Sequence, residues 1–221
     1  MNIVNVALIA RAFIFFAYPS VISGDTVWVA TESIFGLGCD LPDGYTCATA
    51  LQFVANGAEI TGAAGAALSL SDMLWGLMPG SIGETSVIAI ALGAVLLLWS
   101  GVASWKTMLS VFVGGFVMLL AFGDKLPAGM PLWHNLLLGG FCFGAVFMAT
   151  DPVTSARTEV GKYIYGFGIG AMAILIRVLN PGYPEGMMLA ILLMNVTAPF
   201  IDYCVVQSNV NARAKRLTKK N

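Results

Sequence analysis

The sequence predicts an all-α integral membrane protein, a multi-helix bundle, and three observations predict it. Of 221 residues, 58% are apolar and only 10% are charged, against roughly 25% charged in soluble domains. Mean hydropathy is +0.83. Apolar stretches also recur at the roughly 17–25 residues that a helix needs to cross about 30 Å of hydrocarbon.

In chain order, Ile3 to Tyr18 is apolar but short, contains Arg11 and is followed at once by Pro19. No Lys or Arg precedes Arg11 and no small-residue cleavage site follows, so it reads as a short membrane helix over 1–18 rather than a signal peptide. Five longer stretches can each span: Ser86 to Trp105, Thr107 to Gly123, Leu132 to Thr150, Tyr163 to Leu179 and Gly186 to Val206. They define a five-helix membrane domain over 86–206, between a segment over 19–85 and a basic tail over 207–221.

Orientation follows from the Lys and Arg of short loops. The tail holds Arg213, Lys215, Arg216, Lys219 and Lys220 without an acid. With that tail in the cytoplasm, Arg157, Lys162 and Lys106 also fall inside. The 19–85 segment falls outside; it carries Asp25, Glu32, Asp40, Asp43, Glu59, Asp72 and Glu84 and no Lys or Arg.

Composition also excludes functions. The net charge of −1, with no basic stripe before the tail, offers nothing to nucleic acid. One histidine, His134, and four scattered cysteines without C-x-x-C or H-E-x-x-H exclude a zinc or iron–sulfur site made by this chain alone. There is no Walker loop and no G-x-G-x-x-G. No residue is assigned a catalytic role; redox or transport chemistry requires a bound cofactor or a partner subunit.

Several side chains have two readings at this level. Gly140-x-x-x-Gly144 and Gly166-x-Gly168-x-Gly170 suit close helix packing, or a ligand. Trp105 and Trp133 suit the interfacial belt, or stacking on a cofactor. Asp151 and Asp202 lie at or near the cytoplasmic ends of spans, where a carboxylate is costly and functional by default. Asp151 otherwise caps the turn it opens, and Asp202 otherwise pairs with a base or stays protonated. Cys39 and Cys47 share the outer segment and could form a disulfide, while Cys142 and Cys204 read as apolar packing residues. Thr85 or Ser86 is expected to cap the helix that follows.

The segment Asp43-Gly44-Tyr45-Thr46-Cys47-Ala48-Thr49-Ala50-Leu51 reads from composition as a turn leading into a helix. It also resembles the flavinylation motif D-G-x-[S/T]-G-A-T, with Cys47 where that motif has Gly and with a longer Thr31 to Pro42 stretch before it. Further resemblance runs through Asn2-x-x-Asn5-x-Ala7-Leu8-x-Ala10-Arg11-Ala12, Gly80-Ser81-Ile82-Gly83-Glu84-Thr85-Ser86, Phe147 to Pro152 and Ile176 to Met188. Together these motifs resemble the B subunits of bacterial Na+-translocating NADH:quinone reductases, whose members are nearly twice this length and whose C-terminal half this chain is similar to.

The resemblance implies a urea-transporter-like half in the cell inner membrane. It implies FMN joined by a phosphoester to Thr49, with Asp43, Gly44 and Thr46 in its motif. In the outer loop, Ser81, Gly83 and Thr85 would hold a phosphate or simply form a capped turn. Riboflavin would lie near Asn2 and Asn5, whose amides otherwise bond between helices, and Asp151 and Asp202 would line a Na+ path. The implied partners are the other subunits of the complex, a flavin transferase, membrane lipid and quinone as substrate, with NADH oxidised in another subunit. Other readings are the D subunit of the related Rnf complex, a urea-transporter-like solute channel, or a nonfunctional fragment.

Overall fold

The computed structural model describes residues 3–19, 22, 27–28, 46–55, 69–81, 83–123, 133–180 and 185–218. Apart from a two-residue antiparallel ladder, β1 (Val27–Trp28) against β2 (Thr46–Cys47), the elements are helical. Helix α1 is Val6–Ala17, α2 Ala50–Ala55, α3 Leu70–Trp75, α4 Val87–Trp99, α5 Trp105–Phe122, α6 His134–Leu137, α7 Phe141–Phe143, α8 Glu159–Leu179 and α9 Met187–Thr218.

Helices α5, α8 and α9 are long and apolar enough to cross a membrane and form the centre of the bundle. Helices α5 and α8 run parallel: Lys106 meets Glu159, and the Ser110 hydroxyl donates to the Tyr163 carbonyl. Glycine sets their separation. A Cβ on Gly166 would lie 2.7 Å from the Thr107 carbonyl oxygen, and one on Gly170 would lie 2.6 Å from the Gly115 nitrogen, so only the absence of side chains lets the backbones approach. Helix α9 returns antiparallel, joined to α8 by Tyr165 Oη donating to Asn195 Oδ1 at 2.5 Å and by Asp202 at the start of α8. The seam buries Val111, Leu119, Ile169, Ala173, Ile174 and Ile191, and between helices in hydrocarbon it is close van der Waals packing, rather than removal from water, that holds such a seam together.

The outward faces are apolar too. Leu92, Val95 and Leu96 of α4, Leu109 and Leu120 of α5, and Val196 and Phe200 of α9 are exposed, a pattern tolerable only where the surrounding solvent is hydrocarbon.

Three of the five expected spans therefore form as long helices, and two do not. The expected Ser86 to Trp105 span is the 13-residue α4, about 20 Å long at 1.5 Å per residue; it ends at Ser100 and turns at Gly101, whose φ is +71°. Of the two expected caps, Ser86 takes the role, its hydroxyl accepting the Ala89 N–H at 3.3 Å and donating to the Leu74 carbonyl at 3.2 Å.

The expected Leu132 to Thr150 span is broken into α6, α7 and a π-helical turn, Gly144–Met148. Leu138 is extended and Gly139 takes φ +63°, a conformation that glycine enters without a Cβ penalty. Gly140 consequently lies in a turn rather than on the expected helix face, and Gly144 makes room for Met187, whose Cγ would sit 2.5 Å from a Cβ there. Helix α9 runs through Pro199 and continues past the expected end of its span to Thr218.

The ends of the bundle differ. Lys106, Arg157 and Lys162 lie at the N-terminal ends of α5 and α8, where α9 passes Asp202 on its way to Arg213, Lys215 and Arg216. Arg177 lies fifteen positions along α8 from Lys162, about 22 Å away along the axis.

Candidate cofactor site at the broken helix

A helix that stops inside a membrane protein leaves carbonyl groups without intrahelical donors. At the α6 end these are met by Arg177, reaching over from α8 and only 6% exposed. Its Nη1 donates to the Asn135 carbonyl and its Nη2 to the Leu138 carbonyl, the latter at 3.4 Å. The planar guanidinium suits this task because one rigid fork serves two acceptors.

Leu51 of α2 sits on the same break. A Cβ on Gly139 would come within 2.9 Å of Leu51 Cδ2 and 3.9 Å of Arg177 Nη2, and Leu51 is buried with Ala50, Met73, Met78 and Leu138. Two positions earlier, Thr49 opens α2: its Oγ1 accepts the Gln52 N–H at 3.3 Å and its carbonyl those of Gln52 and Phe53. The turn-then-helix reading of this segment thus holds where it is described, with Thr46 paired opposite Trp28 in the ladder. Thr49 is 7% exposed, and its hydroxyl sits at the start of the six-residue α2. Asp43 and Gly44 lie outside the described residues.

The Ser81 to Ser86 loop reaches the same place through Glu84. Glu84 is buried, its Oε1 accepts the Ser81 N–H at 2.9 Å, and a Cβ on Gly140 would lie 3.2 Å from its Oε2. The acid therefore points inward, and the Ser81 N–H that a phosphate would use is already taken. Gly83 turns the loop at φ +89° against Phe143, and Thr85 packs its methyl toward Gly80. Burial raises the Glu84 carboxyl above the usual carboxylate range, the nearby Glu185 adding to the rise, while the Ser81 N–H and Arg11 oppose it.

A raised folded-state value means that the protonated carboxyl is the form the fold prefers. The associated stability is present below the ordinary carboxylate range and is lost as pH rises through the raised value. Glu84→Gln, which keeps the acceptor and removes the charge, is expected to flatten this dependence. As pH rises from the ordinary carboxylate range towards neutrality, the wild-type Tm should fall more than that of the variant. Parallel Tm curves of the two proteins would refute the assignment.

Asn135, whose carbonyl accepts from Arg177, and its chain neighbour His134 together hold three buried polar atoms with no hydrogen-bond partner among the described residues: Nδ1 and Nε2 of His134 and Oδ1 of Asn135. The Trp133 ring lies 4.1 Å from the His134 ring, centroid to centroid. Unsatisfied buried donors and acceptors cost about 1–3 kcal/mol each, so these atoms are places where the carbonyl or N–H groups of a ligand can be met. Arg177, His134 and Asn135 are functional candidates to which the sequence reading gave no role, although Arg177 lies within the Ile176 to Met188 motif; a cation and the sole histidine inside apolar stretches were the signals for Arg177 and His134, and Asn135 had none.

The remaining predicted residues lie elsewhere. Asn5 caps α1, its Oδ1 accepting the Ala7 and Leu8 N–H groups at 3.0 and 3.3 Å, and its Nδ2 donates to Asp151 Oδ2 at 3.2 Å; Asn2 lies outside the described residues. Asp151 also accepts the Val153 N–H at 3.0 Å and the Thr154 hydroxyl at 2.8 Å, the turn-capping role expected as its alternative. Asp202 neither pairs with a basic side chain nor lacks partners: it accepts the Arg157 and Thr158 N–H groups at 2.8 and 3.0 Å and the Thr158 hydroxyl at 2.6 Å. Among the described residues no three His, Cys, Asp or Glu side chains converge as a metal site.

Cys47 is a free thiol and half-buried, with its proton held more tightly by burial; Cys39 lies outside the described residues. Cys142 is buried as expected, whereas Cys204 is exposed on α9 rather than packed. Trp105 and Trp133 are partly exposed at helix starts, as belt residues are.

A bundle of apolar helices with polar groups gathered at a broken one defines a multi-pass membrane protein with an internal polar site. Comparison with known proteins narrows the class. The chain belongs to the NQR2, RnfD, RnfE family, whose model matches residues 1–211. It is 50% identical to the B subunit of the Na(+)-translocating NADH-quinone reductase of Chromohalobacter salexigens, over 97% of this chain and 50% of that one. The corresponding B subunits of Azotobacter vinelandii and Klebsiella pneumoniae are each 46% identical over 97% of this chain and 52% of theirs. The chain thus spans about half the length of the curated relatives it matches.

Proposed function

We propose that this chain is a flavin-carrying membrane subunit of a Na+-translocating NADH:quinone reductase in the bacterial inner membrane. In this reading it carries FMN on Thr49 and riboflavin near Asn2 and Asn5, and it serves electron transfer to quinone coupled to Na+ export. NADH is oxidised in another subunit, and a flavin transferase loads Thr49. Bound flavin would supply one- and two-electron carrier chemistry, which no side chain here provides.

The observation that carries the proposal is the Asp43 to Thr49 motif, placed by its one described end against the broken helix in a chain belonging to this family. Thr49 offers the hydroxyl at a helix start, and Arg177, His134 and Asn135 would hold the ring nearby. A buried guanidinium there would favour a ring that gains negative charge. The sidedness is supported by the bundle's asymmetry: Leu51 packs by Arg177, at the opposite end of α8 from Lys162, and the basic end belongs in the cytoplasm. The 19–85 segment would then be the outer, flavin-bearing one. Asp151 and Asp202, at the connection between the broken helix and α8, remain the proposed Na+ path.

Coexpressed with a flavin transferase and run on a denaturing gel, the wild type should fluoresce under ultraviolet light. Thr49→Ala should lose essentially the whole signal and Thr46→Ala should keep it, and the mass of the Thr49 peptide should include FMN. A wild-type band without fluorescence would refute the carrier and leave the solute channel. Reduction of quinone rather than ferredoxin by the assembled complex would separate this protein from its Rnf counterpart.

A further inference from the structure

At the end of the bundle away from Thr49, a cavity of about 470 Å³ opens between the α4–α5 turn and the connection into α8, within the roughly 300–1,000 Å³ of small-ligand sites. Lys106, Arg157 and Lys162 line it, with the hydroxyl residues Ser104, Thr150 and Ser155. Glu159 is its one acid and bridges Lys106 and Lys162, so the lining keeps a net charge of +2. The Arg157 guanidinium makes no ion pair among the described residues. The cavity also contains the start of α5, an 18-residue helix whose N-cap Ser104 makes no side-chain cap bond. Its first-turn N–H groups are thus left to an external acceptor.

The surroundings select the kind of anion. Trp105 is exposed, meets Tyr163 edge-on at 6.5 Å, and has the Lys106 ammonium 5.8 Å from its ring. Such rings mark the level where headgroups meet hydrocarbon. Directly along α5 and α8 from the cavity, Leu109, Val160 and Ile164 are exposed, giving an apolar surface on which acyl chains can lie. A soluble anion would have no use for that surface.

We propose that this cavity binds the phosphodiester headgroup of an anionic phospholipid, with the phosphate among Arg157, Lys106, Lys162 and the start of α5, and the acyl chains along α5 and α8. The site would tie the connection following the broken helix, which carries Asp151 and the partners of Asp202, to the membrane surface.

The test is native mass spectrometry of the full chain in nonionic detergent, titrated with phosphatidylglycerol, phosphatidylcholine or inorganic phosphate. The expected result is one retained phosphatidylglycerol, preferred over phosphatidylcholine and not displaced by millimolar inorganic phosphate. In Arg157→Gln/Lys162→Gln its affinity should fall about 30-fold, at about 1 kcal/mol for each cation near the surface. The triple change Arg213→Gln/Lys215→Gln/Arg216→Gln, on the exposed end of α9, should leave binding unchanged. Should the double variant fail to fold, Arg157→Gln alone is read, with about a fivefold loss. Equal binding of phosphatidylcholine, undiminished binding by the Arg157 variants, or capture of inorganic phosphate without phosphatidylglycerol would overturn the proposal.

Discussion

Gly170→Ala is expected to destabilise the bundle by about 3 kcal/mol or more, whereas Gly168→Ala, two residues away on the same helix, is expected to be tolerated. Alanine is the better helix former by about 1 kcal/mol, so propensity alone favours both changes. Contact decides otherwise. At Gly170 the new methyl would meet the backbone of α5, 2.6 Å from the Gly115 nitrogen and closer still to the Val111 carbonyl oxygen, and neither can move without separating the two central helices. Overpacking costs about 1–3 kcal/mol, and more where backbone must shift.

At Gly168 the methyl would instead meet the flexible end of Met194, 2.7 Å from its sulfur, which can rotate away at little cost. Size-exclusion profiles and Tm in detergent distinguish the two. A monodisperse Gly170→Ala protein melting with the wild type would mean that α5 and α8 are not in backbone contact.

The second large effect is expected at Arg177. Arg177→Met keeps the apolar stem but removes both donors from the carbonyls of Asn135 and Leu138. Hydrogen bonds from a charged group are each worth about 1.5–3 kcal/mol, so the loss should be about 3 kcal/mol or more. Arg177→Lys should recover only part of it, because a single ammonium lacks the planar fork that reaches two separate acceptors. Thermal unfolding of the three proteins in detergent reads the order wild type, Lys, Met. If Met matched the wild type, the break at Gly139 would need another source of donors.

Much of the architecture can be read from residue order. Helices α5 and α8 lie where apolar stretches put them, and the four-residue spacing of Gly166 and Gly170 foretold a close helix pair because 3.6-residue periodicity brings those two to one face, against α5. The failures share one cause. Leu132 to Thr150 is as apolar as its neighbours, and hydropathy cannot distinguish a span from a re-entrant break when the breaking residue is one glycine among many. The buried Arg177, donating to the Asn135 and Leu138 carbonyls, and the Cys142 thiol, donating to the Leu136 carbonyl, meet acceptors that the unwound turn at Gly139 leaves in lipid.

The candidate site divides in the same way. The Asp43 to Thr49 motif, the charge asymmetry of 19–85 and the basic end of the bundle are local or additive properties, and residue order alone determined them. That Thr49 caps a helix leaning on the break, that Glu84 turns inward against Gly140, and that Arg177 reaches the carbonyls of Asn135 and Leu138 was decided by the tertiary structure. These are pairings between segments up to about a hundred residues apart, and which buried polar group finds a partner depends on how helices cross rather than on what any one stretch contains.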